Sequence, residues 1–188
     1  MNSIATKHIE TPRLILRPFR TDDCSDMLEF WASDHKVQCE YGEPVYKTRS
    51  EVMELLNKYI DGYKNNDYYR WAIVEKSGNN NIGQIAFCRV YSDCHTAEIE
   101  YCIGCDFQGM GYAGEALEAV IAHSFCNTDF LRLEAYHRKE NIRSGRVLEK
   151  SAMHITDSVE RFKRTGASHD DEVCYCINKY EYRDVSEK

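Results

Sequence analysis

The sequence has no apolar run near the 18 or so residues of a membrane span. It has no long basic run either. Lysine and arginine number 24 against 31 aspartates and glutamates, a net charge of −7. Bulk electrostatics therefore argue against a nucleic-acid partner. The best local basic run, His137-Arg138-Lys139, reads as a solvated loop. The first ten residues, MNSIATKHIE, lack the apolar core of a signal peptide, and a cytoplasmic location is expected. No repeat, low-complexity tract or interdomain linker interrupts the chain, so residues 1–188 are expected to form a single domain. Metal spacing is missing too. Of nine cysteines, only Cys102 and Cys105 form a C-x-x-C, and no second pair follows at zinc spacing. Free buried thiols are expected, with no disulfide and no metal.

What is present is a succession of amphipathic segments. R-L-I-L-R-P-F (13–19) alternates like a strand. Thr21-Asp22-Asp23 then caps a helix carrying Met27, Leu28, Phe30 and Trp31. After the break at Pro44, residues 48–60 open with a good cap and place Val52, Leu55, Leu56 and Tyr59 on one helical face. Strands follow at 69–74 and 82–91, joined by the turn S-G-N-N-N. T-A-E-I-E-Y-C-I-G (96–104) alternates again. Glu98, Glu100 and Cys102 share one face of it, and Ile99, Tyr101 and Ile103 the other. A helix with Ala113, Ala116, Leu117, Val120, Ile121 and Ser124 on one face comes next, then a strand at 130–136 and a short helix at 141–150. Two strands, near 153–162 and 172–182, finish the chain around a polar turn, R-T-G-A-S-H-D-D. The order predicts an α/β (α+β) fold, a mixed sheet with helices against it.

The chemistry begins at F-Q-G-M-G-Y-A-G-E-A-L (107–117). G-M-G-Y-A-G reads literally as G-x-G-x-x-G, and Glu134 lies 20 residues past Gly114, where a dinucleotide site wants an acid. The context does not fit that site. Its strand should be apolar on both faces and run straight into the first glycine. Here the strand carries Glu98 and Glu100, and C-D-F-Q intervenes. Only 79 residues follow Gly109, too few for a full doubly wound nucleotide domain. The loop still suits an anion. Glycines 109 and 111 let backbone N–H groups approach closely, and the helix that follows offers unpaired donors and its positive end.

Read from Gln108 to Ala113, the same residues match Q-x-x-G-x-A. This resembles the acetyl-CoA loop of the GNAT acyltransferases, and more narrowly their branch of ribosomal-protein N-terminal (RimJ/RimL-type) acetyltransferases. T-P-R-L-I-L-R-P, W-A-S-D-H-K-V, I-G-Q-I, A-E-I-E-Y-C-I and N-I-R-S-G-R-V-L-E-K extend the resemblance over about residues 10–182. It implies a mixed, mostly antiparallel sheet of six to seven strands, helices on both faces, and splayed fourth and fifth strands. It implies acetyl-CoA as cosubstrate and no metal. The diphosphate would meet Gln108, Gly109, Met110, Gly111, Tyr112, Ala113 and Gly114. The pantetheine arm would bond backbone at Tyr101, Cys102 and Ile103, beside the strand at 130–136, and would also meet Asn141. Asn141 reads equally as a helix N-cap. Ser151-Ala152-Met153 stands where relatives carry L-G-F or L-G-M.

Acyl transfer to an amine needs a base for the ammonium, polarisation of the thioester carbonyl, and an acid or donor for the leaving thiolate. By the match to A-E-I-x-Y, Glu98 is the favoured base. Glu100 is the second candidate, or a binder of a cationic substrate. Leu148 stands where many GNAT enzymes carry the acidic tyrosine, and Ser144 matches the serine of N-x-x-S, so Ser144 is expected at the thiolate. Tyr136 and Tyr112 are weaker candidates. His137 reads as a loop residue, and His123 has no role. The implied function is acetyl transfer to a primary amine, either a protein N-terminus or a small-molecule amine. The alternative is a noncatalytic acyl-CoA sensor, which Leu148 favours. The helices at 22–32 and 48–65 should wall the acceptor. A homodimer is allowed, and neither nucleic acid nor membrane is an expected partner.

Overall fold

Leu14 and Leu16 alternate with the half-buried Ile15 and Arg17 and make the strand the pattern predicts. The computed structural model describes residues 5–166 and 170–186. Its strands are β1 (Ile9–Glu10), β2 (Leu14–Arg17), β3 (Arg70–Glu75), β4 (Asn81–Tyr91), β5 (Thr96–Ile103), β6 (Arg132–Arg138), β7 (His154–Ile155) and β8 (Glu172–Asn178). They are hydrogen-bonded in the order β1-β2-β3-β4-β5-β6-β8-β7. The helices are α1 (Cys24–Met27), α2 (His35–Tyr41), α3 (Arg49–Gly62), α4 (Tyr112–Asn127), α5 (Ile142–Glu149), α6 (Glu160–Thr165) and α7 (Lys179–Ser186). The sheet has eight strands among the described residues, where six to seven were expected. Two strands of two residues each, β1 and β7, make the difference. No helix of the described residues is long and apolar enough to cross a membrane.

The chain divides into two compact units. The first comprises Met1–Ala86 and Tyr101–Ala116. In it α1, the helical segment Leu28–Ala32 that continues it, α2 and α3 bury Met27, Trp31, Val37, Val52, Leu56 and Tyr59 against Ala72 and Val74 of β3. α3 starts where the sequence requires, since Thr48 and Glu51 form a reciprocal capping box. α2 was not legible as an element. Asp34 caps it by accepting from Lys36 N and Val37 N, and Gly42 ends it with a φ of +83°. Gly83 on β4 allows the Cys102 carbonyl of β5 to approach to where a Cβ would stand.

The second unit comprises Phe87–Glu100 and Leu117–Lys188. β5 and β6 pair in parallel from Thr96↔Arg132 to Ile99↔Ala135. The register stops there, although β5 runs on to Ile103 and β6 to Arg138. That is where the resemblance places its splay. β6 remains paired with β8 over its whole length. Both faces of β6 are covered. Tyr136 packs with Val159, Phe162 and Cys174 on one face, and His137 lies against Gly145 of α5 on the other.

The end of the chain corrects the expectation. Residues 153–162 were read as a strand. Only His154–Ile155 is one, and α6 follows. Glu134, distant in sequence, accepts from Glu160 N at 2.9 Å and supplies the start of α6. Gly166 stops it with a φ of +65°. The last strand ends at Asn178 rather than near 182, because Glu181 accepts from Asn178 N at 2.7 Å and α7 begins. Of the polar turn at 164–171, Arg164 and Thr165 belong to α6, and residues 167–169 lie outside the described residues.

Candidate functional site

Gly109 and Gly111 adopt φ values of +78° and +82°, the left-handed region where a Cβ is costly. The Q-x-x-G-x-A loop therefore uses its glycines for conformation. Around Gly109 a Cβ would meet nothing within 4 Å, so space is not the constraint there. Gln108 turns back and donates from Nε2 to the Ile103 carbonyl at 2.8 Å, tying the loop to the end of β5. Phe107 sits edge-on to Phe30, ring centres 5.3 Å apart. Gly104 donates to the Ile82 carbonyl at 2.8 Å and is crowded by the Phe30 carbonyl. The Cys105 thiol beside Asp34 holds that carboxyl below its ordinary range. The loop is thus fastened at the end where it leaves β5.

α4 begins at Tyr112, and its first intrahelical bond runs from Glu115 N to the Gly111 carbonyl at 3.1 Å. Helix geometry leaves the amides before Glu115 without intrahelical acceptors. They belong to Gly111, Tyr112, Ala113 and Gly114, with Met110 exposed at the tip. These residues, with Gln108 and the strand residues Tyr101, Cys102 and Ile103, all fall in the first unit. The fit to a diphosphate is good: open glycines, a turn of amides and a helix start.

One residue here escaped the sequence reading. Arg13, quoted there only as part of a strand, donates from Nε to Glu115 Oε2 at 2.6 Å and from Nη1 to the Met110 carbonyl at 2.8 Å. Glu115 also accepts from Arg13 N at 2.9 Å and from the Thr11 hydroxyl at 2.6 Å. Burial alone would raise the Glu115 carboxyl, but these hydrogen bonds outweigh it and hold the group below its ordinary range. The partners stand about 100 residues apart in sequence, so no local pattern signals the contact.

The second unit holds Glu98, Glu100, Asn141 and Ser144. Glu98 is 2% exposed. Its Oε1 accepts from Arg89 Nη1, and its Oε2 from Arg161 Nε at 3.2 Å. Arg161 continues to Glu172 at 2.5 Å and lies over the Tyr136 ring at 4.4 Å. Burial raises the Tyr136 phenol, so it stays protonated at neutral pH. Glu100 is half-buried. Both glutamates act on Cys88, whose thiol is pushed up first by burial and then by the two carboxylates. Asn141 is an N-cap as well as a candidate ligand residue: its Oδ1 accepts from Ser144 N at 3.1 Å and starts α5. Ser144 stands half-buried in the first turn, and Leu148 is fully buried.

The remaining candidates take structural places. His137 donates from Nδ1 to the Arg138 carbonyl at 2.8 Å and lies 5.9 Å from the Tyr175 ring. Glu134, the acid at dinucleotide spacing, is buried and bonded to Arg132 Nε at 2.7 Å as well as capping α6. Among the described residues no group of three or more His, Cys, Asp or Glu is disposed to hold a metal ion.

The chain as a whole is similar to known proteins. A model of the acetyltransferase (GNAT) domain matches residues 13–154. An uncharacterized N-acetyltransferase of Bacillus subtilis, YnaD, is 29% identical over 175 residues, covering 93% of this chain and 99% of its own. The crystal structure of a GNAT-family acetyltransferase from Bacillus anthracis superimposes with a TM-score of 0.75 at 26% identity, covering 93% and 99% of the two chains. A ribosomal-protein-S5-alanine acetyltransferase from Vibrio fischeri shares the fold, with a TM-score of 0.74 at 16% identity over 92% of this chain and 97% of its own. Loop, sheet and family match agree, and the chain belongs to the GNAT acetyltransferase family.

Proposed function

We propose that the protein transfers the acetyl group of acetyl-CoA directly to a primary amine. The observation that carries this is the loop from Gln108 to Gly114, with two left-handed glycines opening onto the start of α4. Acetyl-CoA supplies an acyl group activated as a thioester, and the residues have only to bind, orient and move protons. The Asn141 Oδ1 is used in its cap, which leaves the two donors of Nδ2 for the pantetheine arm. Ser144, on the same turn, offers a hydroxyl to the departing thiolate. Backbone at Tyr101, Cys102 and Ile103 is assigned to the arm, and the Gln108 bond to the Ile103 carbonyl fixes that edge.

Of the two candidate bases, Glu100 is the one assigned the proton transfer. Both oxygens of the Glu98 carboxylate are already engaged by guanidiniums, Oε1 by Arg89 and Oε2 by Arg161. Glu98 positions the strand face, and Glu100, the next residue on that face, takes the proton from the attacking amine. The acceptor is a cationic amine, and a peptide N-terminus is included because the motifs resemble the ribosomal-protein N-terminal branch. α1 and α3 supply its wall. The reaction is assigned to a reducing compartment, on the scattered spacing of the nine cysteines.

The test is an acceptor screen with acetyl-CoA, reading released thiol and acceptor mass, over free-amine peptides, polyamines, aminoglycosides and amino acids. Acetylation of at least one amine at turnover above the uncatalysed rate is expected. Stoichiometric acetyl-CoA binding with no transfer across the panel would leave a sensor instead.

A further inference from the structure

Arg13 is held on three sides. Glu115 takes its Nε, the Met110 carbonyl takes its Nη1, and the Tyr112 ring lies beneath it, 4.7 Å from the guanidinium carbon. The fourth side faces the loop: Nη2 lies 3.3 Å from the point that a Cβ on Gly111 would occupy. The side chain is 47% exposed. An exposed arginine–carboxylate pair usually contributes little. Here its place gives it work. Glu115 brings a full negative charge to the first turn of α4, beside the amides that would hold a diphosphate, and would repel it. Arg13 cancels that charge, fixes the turn through a main-chain carbonyl, and keeps one planar N–H edge for a second anion.

The geometry points to Arg13 as a diphosphate-binding residue, which presents Nη2 to a phosphate oxygen seated at Gly111. This rests on the acetyl-CoA reading of the loop. Thr11 and Glu115 are then the residues that position Arg13.

The experiment titrates CoA, 3′-dephospho-CoA and pantetheine into wild type, Arg13→Gln and Thr11→Val, after checking that each has wild-type circular dichroism. Arg13→Gln should bind CoA and 3′-dephospho-CoA about tenfold more weakly, the size of one charge-assisted hydrogen bond. Pantetheine, which has no phosphate, should compete equally with either protein. The penalty should shrink as salt is raised. Thr11→Val, which loosens the support but keeps the cation, should retain most of the affinity. Unchanged CoA affinity in Arg13→Gln overturns the assignment. So does a penalty confined to CoA, which would give Arg13 to the 3′-phosphate, or an equal penalty on pantetheine, which would make the role purely structural. If Arg13→Gln fails to fold, Arg13→Lys takes its place, with an expected loss of about threefold because the charge stays and the planar fork is lost. Wild type that binds none of the three ligands would refute the acetyl-CoA reading itself, a different result from wild type that binds while Arg13→Gln binds equally well.

Discussion

Glu98 and Glu100 stand two residues apart on one strand face, yet one is enclosed by Arg89 and Arg161 and the other is half-buried. Their amide variants should therefore differ in kind. Glu100→Gln would remove the proposed base and keep shape, so kcat should fall by roughly 10²- to 10⁴-fold and recover in part as pH rises. Glu98→Gln leaves two guanidiniums short of a partner. It should lower stability by about 2 kcal/mol, less than a fully buried pair because Arg89 is half-exposed, and urea unfolding reads this directly. A Glu98→Gln enzyme of normal stability with a lost basic limb would return the base to Glu98. Ser144→Ala should lower turnover without pH rescue and leave acetyl-CoA affinity nearly unchanged in a calorimetric titration. The two acids could be picked from alternation within T-A-E-I-E-Y. Their unequal surroundings could not, because Arg161 lies 63 residues beyond Glu98.

Elements with local causes were legible. The capping box of α3 and the apolar face of α4 are written in consecutive turns, and both stand as expected. α6 and the early stop of β8 were not. The first depends on Glu134 reaching Glu160 N, and the second on Glu181 taking Asn178 N. β-like alternation in residues 153–162 gave no hint of that long-range cap. The contact of Thr11 and Arg13 with the start of α4 belongs to the same class, and it has a pH signature. The carboxyl of Glu115 is lower in the folded protein than in the unfolded chain. Its contribution is complete above the unfolded value of about 4.3 and is lost as pH falls through the lower folded value. Glu115→Gln should therefore unfold at a lower urea concentration than wild type at pH 7, and the difference should shrink as pH falls below the unfolded value. A constant difference across that range would show that the carboxylate charge is not what holds the contact.

At the scale of the whole molecule, the order of elements and the glycine loop sufficed to separate a GNAT sheet from a dinucleotide fold. The strand count did not follow, because β1 and β7 are two residues each and carry almost no pattern. The central claim is that the loop at 108–114 holds acetyl-CoA. Gly111 tests it most directly, since its φ of +82° and its place at the start of α4 both exclude a branched side chain. The measurement is a calorimetric titration of acetyl-CoA, with NAD as control, into wild type and into Gly111→Val shown to be folded. The account predicts that wild type binds acetyl-CoA and not NAD, and that Gly111→Val loses at least about tenfold in affinity, the size of one or more lost hydrogen bonds to charged phosphate. Wild-type affinity for acetyl-CoA in a folded Gly111→Val protein would contradict it.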